Sequence, residues 1–203
     1  MTTTVHLASR NAKKIAEMQR ILGDVVPDLE VVGLDAVDAY DEPVEDAPTF
    51  AGNALVKARA GFVATGLPTL ADDSGLCVDA LNGMPGVLSA RWAGPPKSDE
   101  RNNALLLAQL VDVPDARRRG HFACAVALCL PGGRELITEG VMPGSVRREV
   151  AGSGGFGYDV LFEADSAPGR TTAELSPEEK DAISHRGEAL RLLAPLAREA
   201  LTA

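Results

Sequence analysis

Apolar residues follow strand-like and helix-like spacings in turn along the first half of the chain. Short strands are predicted at residues 5–8 and 30–34, with a helix over about residues 12–22 between them. The stretch 35–48 is acidic and contains two prolines, so we expect a loop there. A helix is predicted to start at Thr49, because apolar side chains then recur every four residues.

The second half of the chain is predicted to be richer in strands. Strands are expected at 69–71, 76–80, 121–130, 135–141 and 145–150, followed by an extended segment at 158–163. Helices are expected to start at Ser98 and at the capping box that begins with Ser176, and the last helix is expected over about residues 184–201. Together these elements predict an α/β fold with a mixed β-sheet.

Helical spacing also predicts which helix faces pack in the core. On the helix that starts at Ser98, the predicted buried residues are Leu106, Leu107, Leu110 and Val111. On the last helix, they are Ala189, Leu192, Leu193, Leu196 and Ala200.

Composition narrows the domain organisation and the class of partner. The 203 residues, 45% of them apolar, fit one domain over 1–203, with two lobes sharing one sheet. A net charge of −9 argues against a protein that coats the phosphates of DNA or RNA. Aromatic residues make up only 4% of the chain, which argues against stacking on single-stranded nucleic acid. We therefore expect a small-molecule partner and no nucleic acid.

The thiols and the apolar runs indicate a compartment. Cys77, Cys124 and Cys129 lie in apolar surroundings without CxxC spacing, which predicts buried free thiols in a reducing environment. The first residues lack a basic region followed by an apolar stretch. The longest apolar run, 122–130, is about half the length of a membrane span. We expect a cytoplasmic protein with no membrane partner.

Two adjacent acids, Asp72 and Asp73, follow a predicted strand in the segment Asp-Asp-Ser-Gly. Successive strand side chains point to opposite faces, so at most one aspartate aims straight into a cleft unless the backbone turns. A hard cation such as Mg²⁺ relieves the repulsion of neighbouring carboxylates, and its usual protein site has one or two carboxylates plus phosphate. A polar turn between two strands is an equally good interpretation.

Polar side chains on the following helix accompany an acidic loop. Glu45 and Asp46 precede the helix that carries Asn53 and Lys57, and these last two residues are one turn apart on the same face. Such a pair suits phosphate binding or the orientation of a metal-bearing carboxylate. A solvated helix face is the alternative interpretation.

The turn after the first strand is a candidate anion site. It contains Ser9, Asn11, Lys13 and Lys14 just before a helix, where unpaired backbone N–H groups and the helix dipole favour anions. A lysine nearby adds a point charge for phosphate. A plain helix start with exposed lysines is the alternative.

Two further segments towards the C-terminus carry candidate chemistry. Residues 152–157 have the spacing GxGxxG, but no strand precedes and no helix follows, so we expect flexible backbone close to a ligand, with Phe156 as a stacking surface. Lys180, His185 and Arg186 gather three potential cations near the junction of the last two helices. Arginine binds phosphate or carbonyl groups through a planar fork, and histidine can donate to a carbonyl of a base.

Six segments in this order resemble one family, the non-canonical purine nucleoside triphosphate pyrophosphatases that act on inosine and xanthosine triphosphates. They span residues 7 to about 190 and comprise LASRNAKK at 7–14, TFAGNA at 49–54, ADDSGL at 71–76, PGVLSAR at 85–91, GGFGYD at 154–159 and SHRG at 184–187. The resemblance implies an elongated mixed β-sheet flanked by helices in two lobes with a central cleft, and a homodimer. It also implies Mg²⁺-dependent hydrolysis of ITP, dITP and XTP to the monophosphate and pyrophosphate, which removes these nucleotides from the pool.

The resemblance implies roles for individual residues. Asp73 matches the proton acceptor and a metal ligand, Glu45 matches a metal-binding acid, and Asp72 is a further metal candidate. The implied substrate contacts are Ser9, Arg10, Asn11, Ala12, Lys13, Lys14, Ser74, Phe156, Gly157, Tyr158, Asp159, Lys180, His185 and Arg186. Asn53 and Lys57 join them because of their place on the second helix.

These roles suggest a mechanism. Asp73 helps to deprotonate the water that attacks the α phosphorus, while Mg²⁺ on Glu45 and one or both aspartates stabilises charge on the pyrophosphate. Base choice is expected to rest on a 6-keto oxygen and donors near His185 and Arg186. Two alternatives are a pyrophosphatase of the same fold that prefers pyrimidine or modified nucleotides, and a catalytically silent nucleotide-binding module.

Overall fold

The computed structural model describes residues 2–202 and has an α/β fold in which helices flank a mixed sheet. Its strands are β1 (Thr3–Leu7), β2 (Leu29–Val32), β3 (Thr69–Val78), β4 (Met84–Pro85), β5 (Arg119–Cys129), β6 (Glu135–Val146) and β7 (Phe162–Ala164). Its helices are α1 (Ala12–Gly23), α2 (Phe50–Thr65), α3 (Asp99–Gln109), α4 (Pro177–Ile183) and α5 (His185–Thr202). The predicted α/β class with a mixed sheet is confirmed.

The strands form one sheet in the order β2-β1-β3-β5-β6-β7, with β4 paired to β3 outside this path. β1 runs parallel to both β2 and β3, whereas the β3–β4 and β6–β7 pairs are antiparallel. The chain divides into two compact units, and β3, β5 and β6 each contribute residues to both. The first unit comprises residues up to Asp73, Cys124–Gly140 and residues from Arg186 onwards; the second comprises Ser74–Ala123 and Val141–His185.

In the first unit, alternate residues of one apolar strand supply two separate cores. Cys124, Val126 and Leu128 of β5 pack with the buried residues of α1 and α5. Ala125 and Ala127 pack with Ala54 and Ala58 of α2. Because strand side chains alternate in direction, a strand covered on both faces is apolar throughout. This explains the long apolar run at 122–130.

Small residues let α2 pack closely on the sheet. Ala54 and Ala58 are fully buried on its inner face, one turn apart. At Gly61, one turn further on, a Cβ atom would come within 2.7 Å of the Thr69 side chain and 2.9 Å of the Tyr40 hydroxyl. Glycine is therefore required by the close approach of the helix to β3.

The second unit has its own core. Leu76 and Val78 of β3 pack with Leu106 and Leu110 of α3, and Phe122 contacts Phe162 edge-on with ring centroids 4.8 Å apart. This core supports the segment around Tyr158, which is itself buried.

Several predicted strands were wrong in extent. The segments 69–71 and 76–80 are parts of one ten-residue strand, β3, which runs through the Asp-Asp-Ser-Gly segment without a turn. Likewise, β6 is continuous over Glu135–Val146, whereas residues 147–150 are not strand. The segment 158–163 is extended only at its end, because a 3₁₀ turn over Asp159–Leu161 precedes β7.

Some predicted core positions were wrong as well. Val111, Leu192 and Leu196 are exposed. The buried face of α5 instead passes through Ala189, Leu190, Leu193, Ala194 and Ala197. All three cysteines are free thiols; Cys124 and Cys129 are buried, but Cys77 is only partly so.

Candidate active site

The two adjacent aspartates of β3 belong to opposite faces of the sheet. Leu70, two residues before Asp72, packs with α1 and α5, whereas Ala71, two residues before Asp73, packs with α2. The alternation continues along the strand, so the Asp72 carboxylate meets α1 and α5 and the Asp73 carboxylate meets α2. Their different surroundings give the two acids different chemistry.

Asp72 is fully buried and bound by two cations. Its Oδ1 and Oδ2 accept hydrogen bonds from Lys14 Nζ at 2.9 and 2.8 Å, and Oδ2 also accepts one from Arg186 Nε at 3.1 Å. Burial by itself would raise the pKa of Asp72, but the charges of Lys14, Arg186 and Lys57 reverse that effect and hold the pKa far below its usual range. Asp72 is therefore a permanently ionised structural partner of these cations.

Glu17 of α1 extends this network. Its Oε2 accepts a hydrogen bond from Arg186 Nη1 at 3.0 Å, and both side chains are largely buried. Lys14, Asp72, Arg186 and Glu17 thus form a buried chain with two positive and two negative charges. Arg186, predicted to contact substrate, is only 2% exposed and directs these two donors at protein carboxylates.

Asp73 has a drier, less compensated environment. Asn53 Nδ2 of α2 donates to Asp73 Oδ2 at 2.9 Å, and Lys57 Nζ lies 4.0 Å from Oδ1. Burial raises the pKa of Asp73 above its usual value, although Lys57 and Asn53 oppose the shift. A carboxylate with a raised pKa and a fixed orientation is suited to accept a proton.

Glu45 converges on the same ammonium group as Asp73. Its Oε2 lies 3.1 Å from Lys57 Nζ, which also donates to the backbone carbonyl of Asp72 at 2.7 Å. A pocket of about 20 Å³ beside Glu45 and Lys57 has room for a water-sized occupant. Two carboxylates around one cation fit the donor set of Mg²⁺, which takes one or two protein carboxylates and completes its shell with phosphate and water. Within residues 2–202, no group of three or more His, Cys, Asp or Glu side chains is arranged to hold a metal.

The turn before α1 is more occupied than the sequence predicts. Asn11 caps the helix, and its Oδ1 accepts hydrogen bonds from the backbone N–H groups of Lys13 and Lys14 at 3.0 and 3.3 Å. The prediction that these N–H groups are unpaired was therefore wrong. Ser9 Oγ accepts from the N–H of Asn11 at 3.1 Å, and Arg10 pairs with Glu42.

In the second unit, Asp159 organises the segment Phe156–Asp159. Its Oδ2 accepts from the backbone N–H of Phe156 at 2.8 Å and from Lys180 Nζ at 2.5 Å, and its Oδ1 accepts from Thr172 Oγ1 at 2.8 Å. A Cβ atom at Gly155 would overlap this carboxylate, and the residue has φ of +69°. Glycine is required there on both counts.

Lys180 and His185 both lie next to aromatic rings of the second unit. The Lys180 ammonium lies 5.1 Å from the centre of the Phe156 ring, close enough for a cation–π contact. His185 begins α5, is 6% exposed and stacks on Phe122 with centroids 4.9 Å apart. Phe156 itself is 37% exposed, so its ring is accessible to a ligand.

The structure groups the predicted residues within the two units. In the first unit it brings together Lys14, Glu45, Asn53, Lys57, Asp72, Asp73 and Arg186, and in the second it brings together Phe156, Asp159 and Lys180. Ala12 is the exposed first residue of α1, and Ser74 follows Asp73 in β3. Sequence reasoning missed Glu17 and Thr172. Glu17 lies one turn after Lys14 on α1, but that spacing alone does not reveal its partner.

No helix within the described residues has the length and apolar character needed to cross a membrane. The model described as Ham1 family matches residues 5–196. A protein of Nocardia farcinica named dITP/XTP pyrophosphatase is 59% identical over 192 residues, which cover 94% of this chain and 93% of that protein. The crystal structure of a nucleoside-triphosphatase, dITP/XTP pyrophosphatase, from Mycobacterium abscessus is 53% identical with a TM-score of 0.77, covering 95% of this chain and 99% of that one. A HAM1 protein from Coxiella burnetii is 42% identical with a TM-score of 0.86, covering 98% and 100%.

The family match covers all six segments on which the resemblance rests. The fold agrees with the two solved structures over nearly the whole of each chain. The resemblance inferred from the motifs is confirmed, and the chain belongs to the Ham1 family.

Proposed function

We propose that this protein hydrolyses the non-canonical purine nucleoside triphosphates dITP, XTP and ITP to the monophosphate and pyrophosphate. The observation that carries the proposal is the group of Glu45, Asp73, Asn53 and Lys57, in which two carboxylates and an amide surround one ammonium. Relatives 59% and 53% identical over nearly the whole chain, from Nocardia farcinica and Streptomyces coelicolor, are named dITP/XTP pyrophosphatase. Both support the same chemistry.

Asp73 is the proposed proton acceptor. Its raised pKa makes it a stronger base than an exposed aspartate, and the Asn53 amide fixes the orientation of its carboxylate. In the proposed reaction, Asp73 accepts a proton from the water that attacks the α phosphorus, and pyrophosphate leaves. General base catalysis of this kind contributes about 10²- to 10⁴-fold in rate.

Glu45 and Asp73 are the proposed Mg²⁺ ligands. Both offer hard carboxylate oxygens near one point, which now holds the Lys57 ammonium. When bound, Mg²⁺ would supply positive charge to the phosphate oxygens. We propose that Asp72 is not a ligand, because Lys14 and Arg186 already occupy its oxygens on the other face of the sheet.

Cations balance the charge of the triphosphate. Lys57 lies beside the proposed proton acceptor, and Lys14 is 18% exposed while it binds Asp72. The substrate contacts that the resemblance assigns to Ser9–Lys14 and Ser74 are proposed to serve the phosphates. Those assigned to Phe156–Asp159, Lys180 and His185 are proposed to serve the purine, with the Phe156 ring as the stacking surface.

We further propose a cytoplasmic homodimer that does not bind nucleic acid. The net charge of −9 opposes binding to a polyanion. The three cysteines within residues 2–202 are free thiols, which suits a reducing compartment. The homodimer rests on the family resemblance.

The test is to incubate the purified protein with Mg²⁺ and, in parallel, dITP, XTP, GTP, ATP or dTTP, with pyrophosphate and nucleoside monophosphate measured separately. We expect pyrophosphate and monophosphate from dITP and XTP and little from GTP or ATP. Orthophosphate with a diphosphate product would refute cleavage between the α and β phosphates. Turnover of dTTP alone would favour a pyrimidine enzyme, and no turnover would favour a silent binding module.

A further inference from the structure

Two side chains of α3 hold both backbone polar groups of Gly157. Asp99 Oδ2 accepts a hydrogen bond from the N–H of Gly157 at 2.7 Å, and Asn103 Nδ2 donates to its carbonyl oxygen at 2.9 Å. Asp99 and Asn103 are four residues apart, so they lie on the same face of the helix. The bond from Gly157 to the Asp99 carboxylate is charge-assisted, which makes it the stronger of the two.

Gly157 is the one residue of its segment whose own side chain cannot anchor it. Its neighbours are held by other groups: Phe156 by the Asp159 carboxylate at its N–H, and Tyr158 by a hydrogen bond of 3.0 Å from its hydroxyl to the carbonyl of Ser89. Gly157 has φ of +61°, a conformation that glycine leaves readily. The contacts from α3 therefore remove freedom at the most flexible point next to the Phe156 ring.

Fold stability alone does not account for an asparagine at position 103. The residue is 7% exposed, and its Oδ1 is a buried acceptor without a hydrogen-bond partner within residues 2–202. An unsatisfied buried acceptor is unfavourable, and a leucine there would join Leu106 and Leu107 in the apolar core. What Asn103 provides, and leucine would not, is the hydrogen bond to Gly157.

We propose that Asp99 and Asn103 are positioning residues that fix the Phe156 ring for the purine and thereby set base selectivity. This inference rests on the proposed function, in which Phe156 stacks on the base. Neither residue touches Asp73 or Lys57, so their loss should weaken binding of the base and leave the chemical step intact. A looser segment accepts the wrong base more readily, because the contacts that distinguish bases depend on a fixed ring position.

The test compares Asp99→Ala and Asn103→Leu with Glu100→Ala. Glu100 is the matched control, because it is also an exposed acid in the first turn of α3 but contributes no hydrogen bond to Gly157. For Asp99→Ala and Asn103→Leu we expect the KM for dITP to rise about tenfold with kcat changed by less than about twofold, and the dITP-to-dATP ratio of kcat/KM to fall. Asp99→Asn keeps an acceptor oxygen and should restore most of the wild-type KM. Glu100→Ala should behave as wild type.

Amide hydrogen exchange without nucleotide tests the geometry separately. Exchange at residues 156–158 should be faster in Asp99→Ala than in Glu100→Ala, while melting temperatures confirm that both variants are folded. Unchanged KM and selectivity in Asp99→Ala and Asn103→Leu, or a loss confined to kcat, would overturn the inference. If the wild type hydrolyses no dITP, the proposed function and the selectivity role both fail, and the exchange data still decide whether α3 holds the segment.

Discussion

Replacing Asp72 by asparagine removes the only negative charge between Lys14 Nζ and Arg186 Nε. The carboxylate accepts three hydrogen bonds from these two cations, at 2.8 to 3.1 Å, and its side chain is 1% exposed. Removing one partner of a buried ion pair leaves the other charge uncompensated and destabilises a protein by about 3–5 kcal/mol. For a chain of this size, that corresponds to a fall in melting temperature of about 6–20 °C.

Asp73→Asn is the matched comparison, because it changes the same group one residue along β3. Burial raises the pKa of Asp73, so its ionised form is disfavoured in the folded protein, and neutralising it should leave stability unchanged or slightly higher. Its activity should fall about 10²- to 10⁴-fold, as expected for loss of a general base. The two variants should therefore separate stability from catalysis.

Thermal melts at pH 7 and pyrophosphate release from dITP, measured below both melting temperatures, test this contrast. The pH dependence adds a sign: because the pKa of Asp72 is depressed in the folded state, its stabilisation is present above the ordinary pKa of 3.8 and is lost as pH falls below it. Asp72→Asn should lack that acid-dependent loss. A melting temperature of Asp72→Asn within about 2 °C of wild type would refute the reasoning.

Three other predictions follow from the same contacts. Glu45→Gln should raise the Mg²⁺ concentration for half-maximal activity more than about tenfold, as a Mg²⁺ titration would measure, and an unchanged titration would exclude Glu45 as a ligand. Burial lowers the pKa of His6, so protonation favours the unfolded chain and stability should decrease as pH falls below 6.5; urea unfolding of His6→Gln should show a smaller decrease, with the partly buried His121→Gln as control. Gly61→Val should lower the free energy of unfolding by about 1–3 kcal/mol through overlap with Thr69, and an equal effect of the exposed control Ala64→Val would contradict this.

Local patterns predicted most elements because their causes are local. The apolar stripe of α2 and the capping box at Ser176 each depend on residues within one or two turns, and both are present. Boundaries failed where an element runs through polar residues. β3 continues through Asp72 and Asp73 because its neighbours in the sheet and the flanking helices supply partners for them. No local signal distinguishes such a strand from a turn.

The candidate residues were also predictable by type and not by partner. Asp73, Glu45 and Lys57 were expected near phosphate or metal, and the structure places them around one ammonium group. The role of Asp72 was not accessible, because it depends on an arginine 114 residues later in the chain. The bond between Asn103 and Gly157, 54 residues apart, was inaccessible for the same reason.

The sequence by itself determined the fold class, the family and the set of chemically capable side chains. These depend on residue spacing and on motifs, which are properties of short segments. Only the tertiary structure decided which aspartate became a base and which became the centre of a buried ion network. The pleat sends neighbouring carboxylates to opposite faces, and the helices that cover each face fix how far burial and nearby cations shift each pKa.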